Sequence, residues 1–443
     1  MEKVKTSQKI QKDRKGAIEV KLWEPSMLNW RDVFADYMWV LRNRIDNKLS
    51  MFKVQFEIYQ DIVQAQKNIQ MYKDLRKTPS NIKNYTKSNI KVDPVYIDTR
   101  IKKEKVFIKS LKEIMDGHLW RIFNYNRALM QEIGRQPGTT FISIDAGGFK
   151  EVYAWADQIL ETDITHFLLN DLTNASKIGD VTVKNKKGEI ELLEIKSSNL
   201  ASGKKQKERL LRQQERRANF ESLANTKKGL IDGRDGEIVE LQIKYPDNFY
   251  KLRHLLKKAD QNGISNLKVK DYLFMTCVDR SIKVEAQKRK KYLSKHRTIK
   301  SKKDDIIIMI DTSARDTYST NFVPLSIFPI HELFIADLML GKKQIFYSVN
   351  ITKILRTFEK HGWSIKSTFY QSSDNKKVEG TPFCTISKNK INIDIPWTIP
   401  NQLIFELQDL STICKILNFT AADMKNESKR GLFNYQNEAD IWS

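Results

Sequence analysis

The residues whose types and spacing can do chemistry lie together in Lys177-Ile-Gly-Asp-Val-Thr-Val-Lys-Asn-Lys-Lys-Gly-Glu-Ile-Glu-Leu-Leu-Glu-Ile-Lys196. Apolar residues on either side of Lys186-Lys187-Gly188 predict two strands, 180–184 and 190–196, joined by a turn. On a strand, residues i and i+2 share a face, so Glu194 and Lys196 point one way and Ile195 the other. A hairpin turning about Asn185 to Gly188 sets Asp180 opposite the Glu194 region, and two carboxylates and an ammonium then converge. That trio suits metal-assisted phosphodiester cleavage. Mg2+ is a hard ion that keeps several waters and takes one or two carboxylates plus phosphate oxygens. Asp180 and Glu194 supply the carboxylates, the carbonyl of Ile195 is a further candidate ligand, and Mn2+ is the expected substitute. Lys196 either orients and helps deprotonate the attacking water or offsets charge on the phosphate. The plainer alternative is a surface hairpin with a solvated Glu–Lys pair, in keeping with Lys186, Lys187, Glu189 and Glu191 nearby. Against it, Leu192-Leu193-Glu194-Ile195-Lys196 is apolar enough for a central strand, where charged residues are expensive and usually have a purpose.

At these residues the chain resembles the PD-(D/E)xK phosphodiesterase superfamily, the restriction-endonuclease-like fold. Gly179-Asp180 stands where the family has Pro-Asp, Glu194-Ile195-Lys196 is the Glu-x-Lys, and Ser197-Ser198 follows as in many of its nucleases. The resemblance covers about residues 149–225, at most to 311. It implies a helix, a three-stranded sheet, a helix and a further strand, with Mg2+-dependent cleavage of nucleic acid, DNA before RNA. Many members add an acid on the preceding helix. In a helix 149–161 with its apolar face on Val152, Trp155, Ala156 and Ile159, Glu151 lies at the edge of that face and is the candidate, with Glu161 in reserve. Some members carry a Gln on the helix after Glu-x-Lys, which Gln213 or Gln214 would match, though the tyrosine that often follows is absent here. His166 would correspond to the extra His of that subgroup, or is an ordinary packed or surface His.

The elements that position these residues follow from periodicity. Residues 28–75 read as helical, with one stripe running through Met38, Leu41, Ile45, Leu49 and Phe52 and on through Phe56, Tyr59 and Val63. The polar stretch from Pro79 to Pro94 interrupts it, and a second helical run extends from Lys102 to about Ile133. Residues 134–148 form a turn-rich boundary. Beyond it the pattern is mixed: helix 149–161, strands 165–169, 180–184 and 190–196, helix 204–225 with Leu211, Gln214 and Ala218 on one stripe, then strands at 271–278 and 305–311. The last 130 residues alternate short strands with helices such as 330–340 and 350–361. Gly236-Glu-Ile-Val-Glu-Leu-Gln-Ile-Lys244 echoes Gly188 to Lys196, and reads as another amphipathic strand. The expected fold class is mixed α/β. It comprises a helical module over 1–140, a restriction-endonuclease-like α/β core with a central mixed sheet and basic insertions over 141–311, and a C-terminal α+β domain over 312–443.

Charge sharpens the picture. Over 443 residues, 77 Lys and Arg against 54 Asp and Glu give a formal net charge of +23. Residues 1–183 carry 30 basic and 23 acidic side chains, residues 184–303 carry 32 and 15, and residues 304–443 carry 15 and 16. The excess therefore belongs to the middle of the chain, where a field of one sign attracts a polyanion such as nucleic acid. Two stretches concentrate it. One is the helix bearing Lys204, Lys205, Lys207, Arg209, Arg212, Gln213, Arg216 and Arg217. The other is 281–303, with Lys288, Arg289, Lys290 and Lys291 among ten bases and a single acid, Glu285, a density expected to stay extended in water or to be neutralised by phosphates. Three scattered cysteines and six histidines without a ligand-like cluster exclude a zinc module and a disulfide scaffold, and leave three buried thiols. No glycine-rich phosphate loop ending in Lys-Ser or Lys-Thr occurs, so no ATPase motor is expected. With no apolar run of about 18 residues and a polar start, the chain is expected to be cytoplasmic and not to enter a membrane.

The expectation is a Mg2+-dependent nuclease, with the helical N-terminus and the near-neutral C-terminal part as candidate protein-interaction modules of a larger DNA-processing, defence or mobile-element assembly. The alternative is a catalytically inactive nucleic-acid-binding or assembly protein on the same fold.

Overall fold

The computed structural model describes residues 11–12, 18–19, 27–77, 94–135, 158, 162–176, 178–194, 204–231, 234–241, 248–295, 305–312, 323–368, 382–423 and 430–435. After a two-residue antiparallel pairing of β1 (Gln11–Lys12) with β2 (Ile18–Glu19), the N-terminal part is helical: α1 (Met27–Asn43), α2 (Lys48–Lys77), α3 (Pro94–Ile122) and α4 (Arg127–Arg135). The apolar stripe expected to run unbroken from Met38 to Val63 is interrupted. Residues 44–47 form a turn, and Asn47 starts a new helix by accepting the N–H of Ser50 on its side chain. That turn resets the helical phase, so Met51, Ile58 and Ile62 are buried while Leu49 is exposed. The second helical run starts earlier than expected, at Pro94, where a proline needs no N–H partner. It is also two helices: Asn124 and Tyr125 take left-handed backbone (φ 50° and 58°), turning the chain before Asn126 caps α4 through the N–H of Leu129. Asn68 to Glu104 and Arg76 to Asp98 contacts show that α2 and α3 run antiparallel.

Three antiparallel strands follow in the order β3 (Ile164–Leu169), β4 (Val181–Asn185) and β5 (Ile190–Leu193), and α5 (Lys204–Thr226) packs along β5. Both edges of this sheet meet side chains that take the place of a neighbouring strand. On β3, the Gln55 amide donates to Phe167 O (3.1 Å) and accepts from Leu169 N (2.9 Å). On β5, the Asn225 amide donates to Ile190 O (2.9 Å) and accepts from Ile190 N (2.8 Å). Polar residues of α2 and α5 thus satisfy backbone groups that would otherwise be buried and unpaired.

A four-stranded antiparallel sheet, ordered β10 (Ile307–Asp311), β11 (Lys343–Asn350), β9 (Leu273–Asp279) and β8 (Ile264–Lys270), draws strands from either side of residue 311. Every residue of β9 is buried, as suits a central strand. Helix α6 (Phe249–Asn262) leads into β8, and α7 (Ala286–Ser294) follows β9. Part of the basic stretch expected to be extended is therefore helical. A third sheet joins β6 (Lys228–Ile231), β7 (Arg234–Leu241) and, parallel to β7, β15 (Arg430–Tyr435). The echo that begins at Gly236 lies on β7 as far as Leu241, and its Gln242–Lys244 end is outside the described residues. The remaining elements are α8 (Glu332–Met339), α9 (Ile351–Lys360), the meander β12 (Ser364–Thr368), β13 (Cys384–Lys388), β14 (Ile391–Ile395), then α10 (Thr398–Phe405) and α11 (Leu410–Asp423). The protein is of the mixed α/β class.

One hydrophobic core runs from Phe34 in α1 to Ala421 in α11. Two arginines join distant parts of it. The Arg42 guanidinium donates to the carbonyls of Ser326, Phe328 and Ile330 and to Glu332. Arg127 forms a buried two-pronged pair with Glu406, whose oxygens also accept from Val323 N and Gln408. Cys277, Cys384 and Cys414 are buried free thiols. Among the described residues no helix is long and apolar enough to cross a membrane.

Candidate functional site

The β4–β5 ladder pairs Val181 with Leu193, Thr182 with Leu192, Val183 with Glu191 and Lys184 with Ile190. Beyond its last pair, the Asp180 N–H donates to Leu193 O across 2.8 Å. The pairing therefore carries Asp180 and Glu194 to the same end of adjacent strands, both partly exposed. Strand β5 ends at Leu193 and Glu194 lies outside it, while the rest of the expected strand, Ile195 and Lys196, is outside the described residues.

Several residues hold Asp180 there. Gly179 has φ +68°, and a Cβ on it would stand 3.0 Å from Leu193 O, so glycine serves where a side chain would be strained. Asn170, fully buried, donates from its amide to Ile178 O (2.8 Å) and Gly179 O (3.2 Å), accepts from Thr182 Oγ1 (2.7 Å), and gives its own N–H to Asp180 O (2.9 Å). Asp116 of α3 fixes the loop just before, accepting the N–H groups of Asn174 and Ala175 and the Asn174 amide. Burial pushes the Asp116 carboxyl up to about 6 despite those donors. On the far side, Glu221 of α5 accepts the N–H of Leu192 at 2.7 Å. Asp116, Glu221 and Asn225 escape notice in the sequence because their partners lie 29 to 59 residues away, and Asn170 because its partners 8 to 12 residues on follow no periodic spacing.

The other expected site residues fall into three groups. Glu151, Glu161, Ile195 and Lys196 lie outside the described residues. Lys204, Lys205, Lys207 and Arg209 belong to α5 and Arg289 to α7, with side chains outside the described set. Arg212, Gln214, Arg216, Lys288, Lys290 and Lys291 are exposed, and Gln213 and Arg217 partly so. The stripe of Leu211, Gln214 and Ala218 is solvent-facing, with Leu211 58% exposed, and the buried contacts of α5 come later, at Phe220 and Leu223.

His166 is not part of this constellation. It pairs with Lys184 at the other end of the sheet, contacts Thr165 Oγ1 and lies 3.8 Å from Asp46. Burial and the Lys184 ammonium lower its pKa. His118, wholly buried, faces Phe167 O, and desolvation brings its pKa down to about 3, so it is neutral in the core.

The densest buried charge lies elsewhere. Lys343 at the start of β11 reaches Asp337 (2.7 Å), Asp260 (2.8 Å) and Asp279 (2.9 Å), and Asp337 also meets Arg31 (2.8 Å). An ammonium occupies the centre of those carboxylates and no water reaches it, so this is a cross-brace of α1, α6, α8 and the sheet.

Among the described residues no group of three or more His, Cys, Asp or Glu is placed to hold a metal ion. The pair Asp180 and Glu194 offers two hard carboxylate donors at a partly exposed strand end, the number Mg2+ takes when waters and phosphate oxygens complete its shell. The donor chemistry fits that ion. Comparisons with protein-family models, with curated proteins and with solved structures find no match to this chain.

Proposed function

We propose that the protein is a Mg2+-dependent nuclease acting on DNA in the cytoplasm, with Asp180 and Glu194 as its metal-binding carboxylates. One observation supports the reading: the β4–β5 register leaves residues 180 and 194, 14 positions apart in sequence, at the same end of adjacent strands. The meander β3-β4-β5 followed by α5 has the order that the sequence resemblance implies. The concentration of base in residues 184–303, with Arg212, Arg216, Lys288, Lys290 and Lys291 exposed, supplies a surface for a phosphate backbone.

When bound, Mg2+ polarises a phosphate oxygen and offsets the charge that grows on it. The chain's own groups do the rest. Asp180 and Glu194 fix where the phosphodiester is presented, and the bases of α5 and α7 hold its flanks. Water oxygen bonds to phosphorus as the water gives up a proton to solvent, the bond to the leaving sugar oxygen breaks, and that oxygen takes up a proton from solvent. Lys196 is the candidate to orient the water or to balance the phosphate charge. The test is cleavage of plasmid and linear DNA with and without Mg2+ by the parent and by Asp180→Ala, Glu194→Ala and Lys196→Ala. Loss of metal-dependent cleavage with DNA binding retained is expected, and undiminished cleavage by all three variants overturns the reading.

The second reading, a nucleic-acid-binding or assembly protein without catalysis, is favoured by the exposed Arg212 and Arg216 of α5, which need no metal to bind phosphates. It predicts salt-sensitive binding with no divalent dependence.

A further inference from the structure

Helix α6 bears bases that belong to neither of the two basic stretches. At about 100° per residue, Tyr250, Arg253, His254, Lys257, Lys258 and Gln261 fall within an arc of about 140°. All six are exposed, while Leu252, Leu255, Leu256 and Ala259 on the opposite side are buried. No acid stands on that arc. The one acid of the helix, Asp260, is engaged with the Lys343 ammonium at 2.8 Å. Lys257 and Lys258 make no ion pair with any described residue.

Tyr250 opens this face with 55% of its surface exposed. The Lys251 ammonium donates to Val269 O at 2.6 Å and stands 5.7 Å from the Tyr250 ring centroid, so the ring is steadied from its own helix and still open to solvent. At the other end the surface continues onto α7. The Lys288 ammonium reaches Asn262 O at 3.4 Å, and the Asn262 amide donates to Lys258 O at 3.1 Å. Val284, just before α7, packs so closely on Gly263 that a Cβ there would stand 2.5 Å from its side chain. The bases of α6 and the first turn of α7 therefore meet at Asn262.

We propose that α6 and the first turn of α7 form a binding site for single-stranded nucleic acid. Tyr250 stacks a base, and Lys257, Lys258 and Lys288 hold phosphates. A duplex keeps its bases stacked on one another and has none to give Tyr250, so this face selects the single strand. No metal takes part, and the inference stands or falls apart from the cleavage reading.

The experiment measures, in EDTA, binding of a fluorescein-labelled oligothymidylate of about 20 residues and of a duplex of the same length to the full-length protein, between about 50 and 200 mM KCl. Tyr250→Ala is expected to weaken binding of the single strand on the order of tenfold and of the duplex by less than about twofold. Tyr250→Phe keeps the stack and stays within about twofold of the parent on both. Lys257→Gln combined with Lys258→Gln is expected to lower the single-strand slope of log K against log salt by about 1.4, two phosphate contacts at about 0.7 each. The site is overturned if Tyr250→Ala holds the single strand as tightly as the parent or loses both probes alike. It is equally overturned if the lysine pair can be replaced with the parental slope intact.

Discussion

The Leu192 N–H donates to Glu221 Oε1 across 2.7 Å, so a helix carboxylate caps the edge strand that ends beside Glu194. A backbone donor facing a charged acceptor is stronger than one facing a neutral group, and losing the acceptor leaves the donor unsatisfied. Glu221→Ala is expected to destabilise the fold by about 1–3 kcal/mol and to speed hydrogen exchange at Leu192. Glu221→Gln, which keeps an acceptor, recovers most of both. Urea denaturation with exchange measured by mass spectrometry checks this, and equal losses in the two variants would contradict it.

Gly179 governs the approach to Asp180. At φ +68° with Leu193 O beside its missing Cβ, Gly179→Ala is expected to cost about 1–3 kcal/mol and to displace Asp180. The matching control is Gly188→Ala, also at positive φ but in open space, where only backbone strain is felt and the cost is about 1 kcal/mol. Thermal melts of the two variants should separate in that order.

Lys343 neutralises the buried carboxylates Asp279 and Asp337 and the half-exposed Asp260. Lys343→Met leaves Asp279 and Asp337 with too little countercharge and is expected to destabilise by about 3–5 kcal/mol. Replacing Lys343 and Asp279 together, by Met and Leu, should cost less than Lys343→Met alone. A double-mutant cycle in guanidinium chloride measures the difference.

Asp116 and Asp61 contribute stability that should fall as pH rises from about 4 to about 6, opposite in sign to the contribution of the buried, neutral His118 over the same range. Burial raises Asp116 from its ordinary 3.8 to about 6, and burial followed by the Glu57 charge does the same for Asp61 against the hydrogen bond from Tyr37. A raised folded value means that the native state binds the proton more tightly than the unfolded chain. The stabilisation is thus complete below about 4 and lost as pH passes about 6. For Asp116 it amounts to roughly 2–3 kcal/mol. Asp116→Asn keeps Oδ1 for the two backbone donors and, with Asn174 turning its amide, should flatten the profile between pH 4.5 and 6.5 in denaturant melts. A profile as steep as the parent's would count against it.

The hairpin 180–194 was legible because its turn and its alternation are local, and a register follows from a turn position by counting. Helix α5 was legible too, but its buried side was not. Leu211 shares a helical stripe with Gln214 and Ala218, yet it is exposed, and the buried contacts of α5 lie at Phe220 and Leu223. The breaks at residues 44–47 and at Asn124-Tyr125 follow from capping and left-handed backbone that a hydropathy stripe does not register. Arg31, Asp260, Asp279, Asp337 and Lys343 come from five separate elements, and β15 joins β7 from nearly 200 positions away. No window of sequence contains such partners.

The amides of Gln55 and Asn225 close the two long sides of the β3-β4-β5 sheet. Copies of the chain crowded together therefore find no bare ladder there on which to zip into a growing stack. The way left into the sheet is along its strand ends, and at one of those ends Asp180 and Glu194 meet solvent. An exchange of either amide for leucine would leave the backbone groups it serves without that partner beneath the covering helix.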